Sequence, residues 1–232
     1  MGAVVTVLER VYAACGALVA ATPALRDFAP WPDTPMPVHK DPVSVPTVVH
    51  LHDLFVGARS SQSEIGRSPP EHQDRARNRS PGSAVAEPAL PQLHQDVIDA
   101  TLAAADTIEW RRTYTEAEVG ADFLARYGYF ELLGPTGHFE DQTTRAYIGY
   151  WGPSLHYPWH AHPAEECYYV LAGAADFHIE SGSSRCAVGE HQIHTGNQPH
   201  AMTVPADGPG LLTFVLWRGA GLGENATMSS AA

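Results

Sequence analysis

Apolar and polar positions change their period once along this chain, near Tyr129. Before it, Val4, Leu8, Val11, Tyr12 and Leu18 recur at helical spacing and predict an amphipathic helix ending near Thr22-Pro23. Prolines 30, 32, 35 and 37 then give an extended connector. Val43 to Phe55 is a further apolar segment with no clear period. Residues 57–91, rich in Ser, Arg, Pro and Gly, read as a long loop. Leu93, Val97, Ile98, Leu102 and Ala105 predict a helix from Pro91 to about Ile108. Thr115 with Glu118 three residues on is a capping box, and it opens a short helix carrying Val119, Phe123 and Leu124 that Gly128 is expected to end.

From Tyr129 onward, short apolar runs alternate with turn signals. Strands are predicted at Tyr129–Leu133, Ala146–Trp151, Glu166–Leu171, Ala175–Ile179, Arg185–Val188, Gln192–His194, Ala201–Val204 and Leu211–Trp217. Strands at this spacing suggest a sandwich or small barrel. The expected plan is mainly β: a helical N-terminal extension over 1–128, a β-barrel over 129–224 and a tail over 225–232.

Charge narrows the partners. A net charge of −12 argues against nucleic acid and against anionic membrane surfaces. Arg67, Arg75, Arg77 and Arg79 are the densest basic group, but Glu71 and Asp74 interrupt them, which suits a solvated loop. No apolar run is long enough to span a membrane. The Ala- and Val-rich start lacks a basic n-region and contains Glu9 and Arg10, so it reads as a helix rather than a signal peptide. The three cysteines (Cys15, Cys167 and Cys186) form no disulfide framework. These features lead to the expectation of a soluble, cytoplasmic protein.

The 13 histidines change the picture, because seven of them fall between His156 and His200. His160 and His162 are two apart, a spacing that puts both rings on one face of a strand, and Glu166 and Tyr168 share a face in the same way. Polar side chains aimed at one spot inside a core are costly unless something binds them. His160-x-His162-x3-Glu166, a glycine turn at Gly173 and a further histidine, His200, one hairpin later form a donor set for a divalent metal. Three imidazoles and a carboxylate suit Zn²⁺, Fe²⁺, Mn²⁺, Co²⁺ or Ni²⁺ with positions open for substrate. His194 is the runner-up ligand. Glu165 and Cys167 alternate away from this face.

Gly152…His160-x-His162-x3-Glu166-x6-Gly173 resembles the first motif of the cupin superfamily, and Gly189…Gly196…His200 resembles the second. The second departs from the usual pattern, with His194 where a proline is typical, one extra residue before His200, and Val204 where an asparagine often sits. Tyr157-x2-His160-x-His162-x3-Glu166-x-Tyr168-Tyr169-Val170-Leu171-x-Gly173, followed by Pro199-His200-Ala201-Met202, is similar to the cupin dimethylsulfoniopropionate (DMSP) lyases. The resemblance covers roughly Tyr147 to Trp217. Length and helical extension look most like the DddL type.

This resemblance implies a cupin barrel (double-stranded β-helix, or jelly roll) and cleavage of DMSP to dimethyl sulfide and acrylate by β-elimination. His160, His162, Glu166 and His200 would hold the ion, which would bind the substrate carboxylate. Tyr168 would be the base. The sulfonium end calls for aromatic faces, for which Tyr157, Tyr150, Trp151 and Trp217 are candidates. Tyr150 and Trp151 are neighbours, so only one of them can face the barrel interior. The cupin resemblance also makes a homodimer an expectation. Two other readings compete: another cupin metalloenzyme, such as an Fe²⁺ dioxygenase or a sugar isomerase, and a non-catalytic small-ligand-binding cupin.

Overall fold

A computed structural model describes residues 2–45 and 89–229. The loop at 57–91 and the apolar run Val43 to Phe55 fall almost wholly outside these residues. Val4 lies outside the residues whose side chains are described.

The first helix, α1 (Gly2–Ala21), buries Leu8, Val11, Tyr12 and Leu18 as its spacing requires. A short α2 (Pro23–Phe28) begins at the proline that stops it. The connector is followed by β1 (Met36–Pro37), and α3 (Leu90–Ala104) packs along α1. A 3₁₀ turn (Ala105–Thr107) ends α3 earlier than predicted. The capping box forms: the Thr115 backbone N–H donates to Glu118 at 2.7 Å. The helix it opens is nevertheless two pieces, α4 (Glu116–Val119) and α5 (Ala121–Arg126), because Gly120 takes a positive φ of 82° between them. Gly128 does not end this helix; it lies inside the first long strand.

The barrel strands are β2 (Tyr127–Gly134), β3 (Phe139–Glu140), β4 (Thr144–Trp151), β5 (His156–Ala161), β6 (Glu165–Ala172), β7 (Ala174–Ile179), β8 (Gly182–Ala187), β9 (His191–His194), β10 (His200–Thr203), β11 (Leu211–Arg218) and β12 (Thr227–Met228). They form a seven-stranded sheet, β1-β3-β2-β4-β11-β6-β9, and a five-stranded sheet, β12-β5-β10-β7-β8. This two-sheet jelly roll is the cupin-type barrel expected from the motifs. Three strands went unrecognised in the hydrophobic pattern besides the two-residue β1. Of these, β5 carries a metal-site histidine, and β12 lies in the segment expected to be a tail. That segment pairs with β5 at Ala161 and His160, so it belongs to the barrel.

The larger sheet is buried on both faces. Phe130, Ile148, Tyr169 and Phe214 on its outer face share one core with Val11, Leu18 and Val97 of the helices. Tyr147, Trp151, Tyr168 and Val215 on its inner face join Phe177 and Met202 of the smaller sheet. The resulting layers are helices, large sheet and small sheet. Burial on both faces is why β4, β6 and β11 read as nearly continuous apolar runs. At the β6–β7 turn, Gly173 has a φ of 79°, and a Cβ there would strike the carbonyl of Gly210, so the turn requires glycine. No helix among the described residues is long and apolar enough to cross a membrane.

Candidate metal centre and aromatic cavity

Strand pairing brings the chemistry together. His200, first in β10, lies opposite His160 of β5. His162 follows β5 directly. Glu166 of β6 lies between Trp217 of β11 and His194 of β9. The turn after β9 fixes the approach of the last histidine. A Cβ at Gly196 would strike the Pro163 carbonyl, and the Asn197 N–H donates to the His162 carbonyl at 2.7 Å. Asn197 itself has a φ of 60°, the left-handed conformation that Asn tolerates better than most residues. It therefore fills the turn position of the motif glycine. Counted from Asn197, no extra residue precedes His200, and Thr195 rather than His194 stands at the proline position.

The three motif histidines are oriented alike. Each Nδ1 lies against a backbone carbonyl: His160 with Pro158 at 2.8 Å, His162 with Ala164 at 2.9 Å, and His200 with Gln198 at 2.8 Å. A carbonyl only accepts, so each Nδ1 carries the proton and donates it. In the neutral ring, each Nε2 is then a lone pair, which is the arrangement of metal-binding imidazoles. His160, His162 and His200 can each offer one donor atom within 4.8 Å of the others. Glu166 Oε2 sits 3.1 Å from His162 Nε2 and 3.2 Å from His200 Nε2. Two lone pairs facing a carboxylate oxygen repel it unless protons or a cation lie between them, so the donor set fits a bound ion. His200 Nε2 is buried without a hydrogen bond.

The electrostatics agree. Burial, then the neighbouring His200, holds the His160 pKa well below its ordinary value. Burial opposes charge on His162, but Glu166 outweighs it and raises the pKa. Burial would raise Glu166, yet His162 and His200 hold it well below the usual carboxylate range. His194 is pushed down to about 3 by burial and then by His200.

Beside this donor set is a cavity walled by Tyr127, Tyr129, Tyr147, Trp151, Tyr157, Tyr168 and Trp217, with Glu166 as the one carboxylate that the described residues contribute. Tyr168 follows Glu166 on the same face and is 4% exposed. Burial, then Glu166, holds its phenol well above the ordinary value. The Tyr157 ring stacks on His160 at 4.0 Å, and its hydroxyl lies 2.5 Å from that of Tyr114. Trp217 stacks on His162 at 4.0 Å and donates its indole N–H to Glu166 Oε1 at 2.7 Å. Trp217 thus braces the carboxylate as well as lining the cavity.

Tyr150 is the correction. Strand alternation turns Trp151 inward and Tyr150 outward, into the helix-side core, where its hydroxyl donates to the Pro209 carbonyl at 3.2 Å. It does not face the cavity. Tyr127, Tyr129 and Tyr147 were not singled out in the sequence. Their signal was the alternation itself: Tyr147, Gly149 and Trp151 share a face, as do Tyr127 and Tyr129.

Residues 58–212 match the family profile described as dimethylsulfoniopropionate lyase. A curated relative, the dimethylsulfoniopropionate lyase DddQ of Ruegeria pomeroyi, is 42% identical over 122 residues, which cover 52% of this chain but only 60% of that protein. The crystal structure of DMSP lyase DddQ from Ruegeria pomeroyi superposes with a TM-score of 0.75 at 30% identity, over 97% of this chain and 96% of that one. A chain from the crystal structures of the DMSP lyases RdDddP and RnDddQII gives a TM-score of 0.77 at 37% identity, over 98% of this chain and 100% of that one. The narrower DddL likeness drawn from chain length and helical extension receives no support from these relatives.

Proposed function

The chain belongs to the dimethylsulfoniopropionate lyase family, and on that premise we propose that it cleaves DMSP to dimethyl sulfide and acrylate in the cavity beside Glu166. The observation that carries this reading is the pairing of two walls. One is a set of histidines whose Nε2 lone pairs converge on a carboxylate, and the other is a ring of aromatic faces. A small zwitterion with a carboxylate at one end and a sulfonium at the other matches both.

His160, His162, Glu166 and His200 would hold a divalent transition ion, and the donor types suit Zn²⁺, Fe²⁺, Mn²⁺, Co²⁺ or Ni²⁺. When bound, the ion supplies positive charge that stabilises negative charge developing at the carboxylate end of the substrate and favours ionised Tyr168. Tyr168 takes the proton from the carbon next to the carboxylate. The electron pair of that C–H bond becomes the double bond of acrylate, and the C–S pair leaves with sulfur as neutral dimethyl sulfide. Tyr157 and Trp217, joined by Tyr147 and Trp151, offer π faces to the sulfonium, each worth about 0.5–2 kcal/mol. Closely packed rings exclude water from the reacting carbon.

The test is to incubate metal-loaded protein with DMSP under anaerobic conditions and measure dimethyl sulfide by gas chromatography. Release without oxygen supports the lyase and eliminates a dioxygenase. No release from fully loaded protein overturns the proposal.

A further inference from the structure

The proposed chemistry uses Tyr168 and Tyr157 but leaves Tyr114 without a role. Tyr114 precedes the barrel strands, yet it is buried and its hydroxyl lies 2.5 Å from that of Tyr157. Its backbone is fixed on both sides. Upstream, the Arg111 N–H donates to the Tyr129 carbonyl at 2.7 Å, and the Tyr129 N–H donates back to the Arg111 carbonyl at 3.1 Å. Downstream, the next residue, Thr115, opens the capping box of α4. The Tyr114 ring packs on Phe123 and Tyr127 with centroids 6.5 and 6.4 Å away, and meets Tyr157 edge-on at 5.7 Å. Its neighbour Thr113 is a side-chain hydrogen-bond partner of Tyr127, another wall of the cavity.

Packing on Phe123 and Tyr127 needs only a ring, and Phe would supply it without burying a polar group. The Tyr114 hydroxyl needs a partner once buried, and the one it meets belongs to a residue of the cavity wall. Strand β5 fixes the backbone of Tyr157 but leaves the ring its side-chain torsions, of which the terminal one is broad. A bond at the far end of the ring removes that freedom. One face of the Tyr157 ring is already against His160, with the planes within 22°, so the ring serves the cavity at one orientation. Attraction of an onium to a ring depends on where the cation lies relative to the ring face. We infer that Tyr114 is a positioning residue for substrate binding: by its hydroxyl it holds the Tyr157 ring between His160 and the cavity. This rests on the reading of the cavity as the DMSP site. The segment before the barrel, and not the barrel alone, then completes the site.

The test is a double-mutant cycle on the metal-loaded, full-length protein, with dimethyl sulfide release measured against DMSP concentration. Tyr114→Phe should raise KM about five- to tenfold, the worth of one hydrogen bond, and change kcat much less. In a Tyr157→Phe background the same substitution should move KM by less than about twofold, because the hydroxyl it acts through is gone. An unchanged KM in Tyr114→Phe, even with lowered thermal stability, would overturn the inference, as would an equal rise in both backgrounds. If Tyr114→Phe alone fails to fold, the double variant, in which neither hydroxyl is orphaned, is compared with Tyr157→Phe: equal KM values support the inference and a further rise overturns it. If the unmodified protein releases no dimethyl sulfide, the lyase reading fails, and the cycle is read instead from trimethylsulfonium binding by calorimetry. Weaker binding in Tyr114→Phe would then keep the positioning role, and equal binding would end it.

Discussion

Among the described residues two buried carboxylates, Glu131 and Glu166, point into this barrel, and they are solved in opposite ways. Glu131 on β2 is 1% exposed and Glu166 on β6 is 3% exposed. Glu131 Oε2 accepts from Arg145 at 2.9 Å, Arg111 at 3.0 Å and the Thr136 hydroxyl at 2.7 Å, while Oε1 accepts the Thr136 N–H at 3.0 Å. Both oxygens are fully engaged by fixed donors. Glu166 accepts the Trp217 indole N–H and is a hydrogen-bond partner of the Tyr168 hydroxyl, but has no arginine or lysine beside it. Its Oε2 faces the lone-pair nitrogens of His162 and His200, with buried His194 opposite on β9. A closed set of permanent cations and hydroxyls is a structural device. An open set of neutral nitrogens around a carboxylate waits for a cation. Burial alone does not separate the two; the chemistry of the neighbours does.

The sharpest way to break this comparison is to remove a nitrogen from the open set. His162→Ala is expected to lose bound metal, with affinity reduced more than about 100-fold, since a ligand should matter more than the outer partners that cost 10–100-fold. Elemental analysis after dialysis checks it; full occupancy would move the site elsewhere. Tyr168→Phe removes only a hydroxyl that hydrogen-bonds Glu166 and leaves all four proposed ligands in place. It should keep its metal and lose about 10²–10⁴-fold in dimethyl sulfide release. Wild-type release from that variant would remove Tyr168 as the base.

One substitution made at both carboxylates tests the contrast itself. Glu131→Gln leaves two arginines short of a counter-charge and should cost about 3 kcal/mol in denaturant unfolding, with metal content unchanged. Glu166→Gln should do the reverse: lower metal content, and destabilise the metal-free protein less than Glu131→Gln does. If both variants lose stability equally and both retain metal, the two sites are the same kind of object.

The open site was far more legible in the sequence than the closed one. His160, His162 and Glu166 lie within seven residues, and strand periodicity puts their spacing on view. Glu131, Arg145 and Arg111 meet only through the registers of β2 and β4 and a bridge at Tyr129, which no local pattern encodes. β5 was missed because Pro158 and its polar neighbours break the apolar rhythm. The pairing of β5 with β10 tolerates that proline where the register shifts between His200 and Met202. Tyr150 against Trp151 was a true two-way choice until neighbouring strands fixed which face was inner. The turn at Asn197 was misread by counting from Gly196, because a left-handed asparagine looks like any other residue until its φ is known.

Trp217 joins the two carboxylates, and it gives the smallest and most discriminating effect. The Arg145 guanidinium lies over its ring at 5.4 Å from the centroid, and its indole N–H reaches Glu166. Trp217→Phe keeps an aromatic face in the cavity and removes that one donor. Loss of an outer hydrogen bond to a ligating carboxylate should weaken metal affinity about tenfold, at the low end of the range for such partners. The KM for DMSP should change much less, because a π face remains. If the ring served chiefly as a sulfonium contact, the order would invert, with KM rising while metal affinity stayed constant. Chelator competition and steady-state kinetics on the one variant therefore separate bracing of Glu166 from recognition of the substrate.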